Sequence, residues 1–186
     1  MLKFTQLLSP ENLRQGVVCS SKKRAFETIC HIVAKQLCEQ SPQQEQEATP
    51  AEQCEEQEET CFESLLAREK LGNSSLGNGV ALPKARLSED RTTPTAVFLQ
   101  LETPIDYDSA DHREVDLIFA LFIPPELCDQ YTQELPSLTE KLTDKSLCKQ
   151  LRAAKSEDEL WQIFQYADNI TQEEVEMPPS LLDETI

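Results

Sequence analysis

An α/β domain, with helices covering a mixed sheet, is the fold this sequence predicts, and three observations carry it. Residues 96–101 and 115–123 are nearly continuous in apolar side chains, as strands buried on both faces would be. Amphipathic helical patterns stand before and after them. At 186 residues the chain suits one domain of ordinary size plus tails, large enough to bury a core without disulfides or metal.

Along the chain, Ser20-Ser21 precede AFETICHIVAKQL, in which Ala25, Phe26, Ile29, Ile32, Val33 and Leu37 recur at three- and four-residue steps. That spacing predicts an amphipathic helix with Ser20 or Ser21 as its N-cap and His31 at the edge of the buried face, without chemistry. The Gln/Glu/Pro-rich stretch at about 39–60 has too little apolar surface to offset its ordering entropy, which predicts a mobile loop. A second helix is expected from near Glu58 to Leu71-Gly72, burying Phe62, Leu65 and Leu66. Three of the four glycines, Gly72, Gly77 and Gly79, fall in LGNSSLGNGV, marking backbone with unusual dihedrals or a close approach. Between the two strand segments, Glu102 to Tyr107 suggests a short strand or turn. Helices are expected at 128–142, 145–152 and 157–166, the last opened by Ser156 and Glu159 in capping-box spacing. The acidic tail from about 169 to 186 is expected to be disordered.

The formal net charge is -17, unevenly spread: no Lys or Arg lies between Lys35 and Arg68, or after Lys155. This balance argues against phosphate-backbone binding and against anionic membrane surfaces, so partners are expected to be proteins. Two readings of the acidic runs stay open, partner contact and solubility. Seven cysteines show no CxxC pair, and the N-terminus has only a few apolar residues before Ser9-Pro10, so reduced thiols in a cytoplasmic protein are the expectation. No apolar run approaches the roughly 18 residues of a membrane span. The two histidines, His31 and His112, lack cysteines at zinc-ligand spacing, and the glycine-rich run is neither GxGxxG nor a Walker loop. Neither a metal nor a cofactor is called for.

Residues 77–86 read GNGVALPKAR. This string resembles the phosphorylation-site signature of type-2 IIA domains of the sugar phosphotransferase system, nearest to the nitrogen-regulatory branch, where it runs Gly-Asn-Gly-Ile-Ala-Ile-Pro-His-Gly-Lys. SKKRAFE at 21–27, AREKLG at 67–72, VFLQLETPI at 97–105, VDLIFALFIP at 115–124 and LRAAKSEDEL at 151–160 resemble the same family, in the same order. The resemblance implies a single IIA type-2-like domain over residues 1–168, a mixed sheet flanked by helices, with 39–60 as an insertion and 169–186 outside it.

Where the family signature carries its phosphoacceptor histidine, this chain has Lys84. The resemblance places a second family histidine at Tyr131 and keeps the family arginine as Arg68. Candidate binding residues are Gly77, Asn78, Gly79, Pro83, Lys84 and Arg86. A phosphocarrier needs a nucleophile that is neutral near pH 7 and later leaves; imidazole, with a pKa of about 6.5, meets both needs. A lysine ammonium, at about 10.4, offers no lone pair unless strongly perturbed. Lys84 also adds fixed positive charge where phosphorylation would add about -1.5 to -2, so it cannot mimic the phosphorylated form.

The expectation is a non-phosphorylatable, bacterial, nitrogen-regulatory IIA-like protein without catalytic residues, acting by protein contact through the 72–86 face. The resemblance implies as partners the nitrogen-branch phosphocarrier protein, sensor kinases or potassium-transport regulators. Other readings stay open: an active phosphocarrier using a non-standard acceptor, a sugar-transport IIA component, a pocket that has drifted to leave Lys84 a solvated residue, and a small-anion site formed by Lys84 and Arg68. Tyr131 stands either as a hydroxyl donor or as packing.

Overall fold

The computed structural model describes residues 2–40 and 49–176. Six strands form one sheet: β1 (Leu13–Val17), β2 (Ser75–Gly77), β3 (Val80–Ala81), β4 (Lys84–Arg86), β5 (Thr95–Ile105) and β6 (Val115–Ile123). The order is β1-β5-β6-β3-β2, with β4 also paired to β6. β5 and β6 are antiparallel, whereas β1 runs parallel to β5 and both β3 and β4 run parallel to β6. The expected mixed α/β fold is therefore present.

Alternation along the central strands sends side chains into two cores. Ala96, Phe98, Leu117, Phe119 and Leu121 pack with α1 (Phe4–Leu7), α4 (Cys128–Leu142), α5 (Lys145–Ala153) and α6 (Glu157–Glu176). Val97, Leu99, Ile118, Ala120 and Phe122 pack with α2 (Lys22–Gln40) and α3 (Pro50–Leu71). Burial on both faces explains why β6 reads as a continuous apolar run.

Ser21 caps α2, its Oγ accepting from Arg24 N at 3.2 Å. Ser156 likewise accepts from Glu159 N at 3.1 Å, but the Glu159 carboxylate reaches Lys155 N rather than Ser156 N, one residue short of a closed capping box. Residues 102–105, expected as a short strand or turn, continue β5.

Three expectations need correction. The region at 39–60 is largely helical: α2 runs to Gln40, and α3 starts at Pro50, not near Glu58. Residues 41–48 lie outside the described residues. A full capping box between Thr49 and Glu52, with Pro50 in the first turn, nucleates α3, and the Glu, Gln and Ala that follow have high helix propensity despite burying little. Secondly, α6 continues to Glu176, past the expected start of the tail. Asp168 holds this extension: it is 5% exposed, and its carboxylate accepts from Phe4 N at 2.8 Å, Thr5 N at 3.0 Å and Thr5 Oγ at 2.8 Å. Residues 177–186 lie outside the described residues. Thirdly, Cys38 and Cys54 form a disulfide across the α2–α3 pair, Cα atoms 5.9 Å apart, against the expectation of reduced thiols throughout. Neither helix's sequence contains that proximity; the antiparallel packing creates it.

Candidate functional site around Lys84

The glycine-rich segment builds a tight hairpin. Gly77 pairs with Val80, leaving Asn78-Gly79 as a two-residue turn. Asn78 (φ 56°) and Gly79 (φ 82°) both lie in the left-handed region, which is why Asn-Gly suits the position. Asn78 N donates to Asp111 Oδ2 at 3.0 Å, and Arg113 Nη1 donates to Asn78 Oδ1 at 3.2 Å. From α5, Arg152 donates to Asn78 O at 2.7 Å and makes two bonds to the Asp116 carboxylate, at 2.8 and 2.9 Å. A Cβ on Gly79 would sit 2.7 Å from Arg152 Nη2 and 2.9 Å from Asp116 Oδ1, so the side-chain fork takes the space a larger residue would need. The candidate binding residues Gly77, Asn78 and Gly79 thus have a scaffolding role in this structure.

Beyond the hairpin, the strand breaks at Leu82-Pro83. Pro83 is buried, has no N–H for a ladder, and accepts from Leu121 N through its carbonyl at 2.9 Å. β4 then presents Lys84, half-buried, with Nζ 3.4 Å from Leu82 O. Ala85 alternates into the α2–α3 core. Arg86 is exposed, and no side-chain hydrogen bond joins it to Lys84 or Arg68 among the described residues.

Helix α3 supplies the groups facing Lys84 from its last turn. Arg68 is exposed and lies close enough to act on Lys84 electrostatically. Glu69 takes an ion pair from Lys22 at 2.5 Å and accepts Ser74 N at 2.9 Å. Lys22 Nζ also lies 4.2 Å from the Tyr107 ring centroid, and the Tyr107 hydroxyl shares a 2.7 Å hydrogen bond with Ser74 Oγ. Burial pushes the Tyr107 phenol well above its ordinary range, and the Glu69 charge adds to it. Burial pulls the Lys84 ammonium below the usual lysine value, Arg68 pulls the same way, and Glu69 opposes both. Two cations, Lys22 and Lys84, therefore act on the Glu69 carboxylate, with the exposed Arg68 beside Lys84, an arrangement that favours a negatively charged or strongly polar contact.

Tyr131 does not join this group by any hydrogen bond among the described residues. It lies on α4, 5% exposed, within the core on the other side of the sheet, and its phenol is raised by burial and then by Glu134. His31, expected at the edge of a buried face, is exposed, with Nδ1 3.1 Å from Glu58 Oε2. His112 sits in the loop before β6 at φ 59°. Among the described residues no three His, Cys, Asp or Glu side chains are placed to hold a metal ion, and no helix is long and apolar enough to cross a membrane. Reasoning from sequence missed Arg152 and Asp116, which hold the hairpin, Glu69, which acts on Lys84, and Lys22, which pairs with Glu69. All four had a signal as members of the quoted blocks: Lys22 in SKKRAFE, Glu69 in AREKLG, Asp116 in VDLIFALFIP and Arg152 in LRAAKSEDEL.

Residues 6–167 match the family described as phosphoenolpyruvate-dependent sugar phosphotransferase system, EIIA 2. A nitrogen regulatory protein homolog of Haemophilus influenzae is 52% identical over 168 residues, covering 90% of this chain and 93% of that one. The nitrogen regulatory protein of Escherichia coli is 39% identical over 163 residues, 88% of this chain and 90% of its own. In fold, the crystal structure of nitrogen regulatory protein IIA-Ntr from Neisseria meningitidis aligns with a TM-score of 0.67 at 28% identity, covering 85% of this chain and 96% of that one. The E. coli complex of enzyme IIA-mannitol with phosphorylated enzyme IIB-mannitol aligns at 0.61 with 21% identity, covering 86% of this chain and 99% of that one. By that family match over most of its length, this chain belongs to the EIIA type-2 family of the phosphotransferase system and is related to its nitrogen regulatory proteins.

Proposed function

We propose that this chain is a cytoplasmic regulator of the nitrogen-regulatory IIA type that acts by protein contact and carries no phosphate. The observation that supports it is Lys84, which stands at the signature position of the acceptor histidine, half-buried beside Arg68. An ammonium has no lone pair to attack phosphorus, so the site stays in one charge state whatever the phosphorylation status of its surroundings. A partner that recognises unphosphorylated IIA would then be engaged constitutively. The contact face is the 72–86 segment with the adjoining end of α3, where Leu71 is 82% exposed. The mannitol IIA–IIB complex supports a protein as the partner. The nitrogen-branch phosphocarrier protein, sensor kinases and potassium-transport regulators are the partners to try. The functional domain is residues 1–168.

A second reading has one observation in its favour. Burial and Arg68 lower the proton affinity of Lys84, which moves the amine toward the nucleophilic form and favours an active phosphocarrier with an unusual acceptor. One experiment separates the two: the full chain is incubated with a phosphorylated donor phosphocarrier protein and its intact mass is measured. No adduct is expected on the native chain, and Lys84→His is expected to gain about 80 Da, one phosphoryl group. A stoichiometric, transferable adduct on native Lys84 overturns the regulatory reading. Failure of Lys84→His to gain phosphate shows instead that the pocket has drifted beyond repair.

A further inference from the structure

The Cys38–Cys54 disulfide fastens the end of α2 to the start of α3, at the end of the helix pair opposite Lys22 and Glu69. Both cysteines are half-buried, and neither belongs to the two packed cores. The stretch of α3 that this bond holds buries little. From Ala51 to Thr60 no side chain is fully buried, and the first that is, Leu65, lies about four turns into the helix. Glu52 and Glu56, like Glu55 and Glu59, stand four residues apart on the exposed side, where like charges repel. The noncovalent ties to α2 seen along this stretch are weak. His31 Nδ1 lies 3.1 Å from Glu58 Oε2 with the His31 side chain 70% exposed, and the Cys38 sulfur lies 3.7 Å from Gln57 Oε1.

We propose that the Cys38–Cys54 bond is a reversible redox site, opened by a dithiol, whose cleavage releases residues 50–60 from α2 and leaves the surroundings of Lys84 in place. One thiolate of the dithiol attacks one sulfur of the pair; the other sulfur leaves with the bonding electrons and takes up a proton. The second thiolate of the dithiol then attacks its partner's sulfur in the mixed disulfide, and the remaining cysteine leaves and is protonated. Two protein thiols form, and the dithiol ends as a disulfide. Release stops where α3 enters the core: Phe62, Leu65 and Leu66 pack there against α2, and the Lys22–Glu69 ion pair anchors the far end. The cytoplasmic setting of the proposed function supplies the reducing conditions under which such a bond turns over, whereas the bond's own chemistry does not rest on that reading.

The test treats the full chain with dithiothreitol, an uncharged dithiol, in native buffer. Free thiols should rise from five to seven, with loss of the Cys38–Cys54 cross-linked peptide from the digest. Hydroxyethyl disulfide, added after the dithiol is removed, should restore that peptide. Backbone amides of residues 53–60 should exchange with deuterium about tenfold faster in the reduced chain, while those of 65–71 and 84–86 keep their rates. The double variant Cys38→Ser with Cys54→Ser should exchange like the reduced chain whether or not dithiol is present. A thiol count that stays at five without denaturant, a cross-link that does not re-form, or unchanged exchange at 53–60 would overturn the proposal. So would faster exchange that spreads through 65–71 and 84–86, or a double variant as protected as the oxidised chain. None of these readouts involves phosphate or a partner, so they fail or succeed independently of the regulatory reading.

Discussion

Replacing Gly79 with alanine tests whether the Asn78-Gly79 hairpin is held by the Arg152 fork. At φ 82° an alanine pays about 1–2 kcal/mol for left-handed backbone. Its Cβ would displace Arg152, which stands 2.7 Å away, and with it the pair to Asp116 and the bond to Asn78 O. Arg152 is more than a third exposed, so solvent screens these contacts and each is worth only about 0.5–1 kcal/mol. The smaller entropy of the unfolded alanine chain returns about 0.4–1 kcal/mol. The net loss is about 2 kcal/mol, and for a chain of this size that is a Tm lower by roughly 4–8 °C.

Urea unfolding of four proteins, native, Gly79→Ala, Arg152→Ala and the double variant, measures both terms. Removing the arginine clears the nearest atom from the new Cβ, so the double variant should lose about 0.5–1 kcal/mol less than the two single losses predict. If Gly79→Ala stays within about 0.5 kcal/mol of native, or the two changes add, the fork does not hold the hairpin.

Asp168→Ala removes three hydrogen bonds from a buried carboxylate and frees the N-terminus from α6, so stability should fall by about 2–3 kcal/mol, read by urea unfolding. Gln100→Leu should cost a similar amount, about 2–3 kcal/mol, because the buried amide donates to Leu151 O at 2.6 Å and Ala154 O at 2.8 Å and accepts from Gly16 N at 3.0 Å. Phe164→Ala should cost about 3–5 kcal/mol, since its ring packs against Phe4, Phe98 and Phe119. For Lys84 the sign follows from its lowered proton affinity: in the alkaline range below 10.5 the unfolded chain binds more protons than the native one, so stability contributed at this position rises with pH. Lys84→Met should remove that rise in urea titrations between neutral and alkaline pH, and an equal or steeper rise in the variant would contradict the burial of the ammonium.

What was legible in the sequence was whatever a local pattern encodes. β6 shows as an apolar run because both its faces are covered, and Asn78-Gly79 shows as a turn because few other residue pairs take two positive φ angles. The start of α3 was legible too, in Thr49-Pro50-Ala51-Glu52, but its capping signal was outweighed by the low apolar content of the residues that follow. β1 is five residues long and β3 only two, too short for a periodicity to stand out, and both exist because β5 and β6 offer ladders to pair with. The setting of Lys84 was least legible. It is set by burial at a strand that follows the break at Pro83, and by Arg68 and Glu69 from a helix end, with Glu69 itself paired to Lys22 from the start of another helix. Arg68 was marked by the resemblance, but Glu69 and Lys22 each read by themselves as ordinary surface charges. A motif position therefore names only the side chain at position 84, whereas the packing of α2 and α3 against β4 decides how firmly that side chain holds its proton. On the proposed reading that proton separates a regulator from a carrier, which makes helix packing as important as the identity of residue 84.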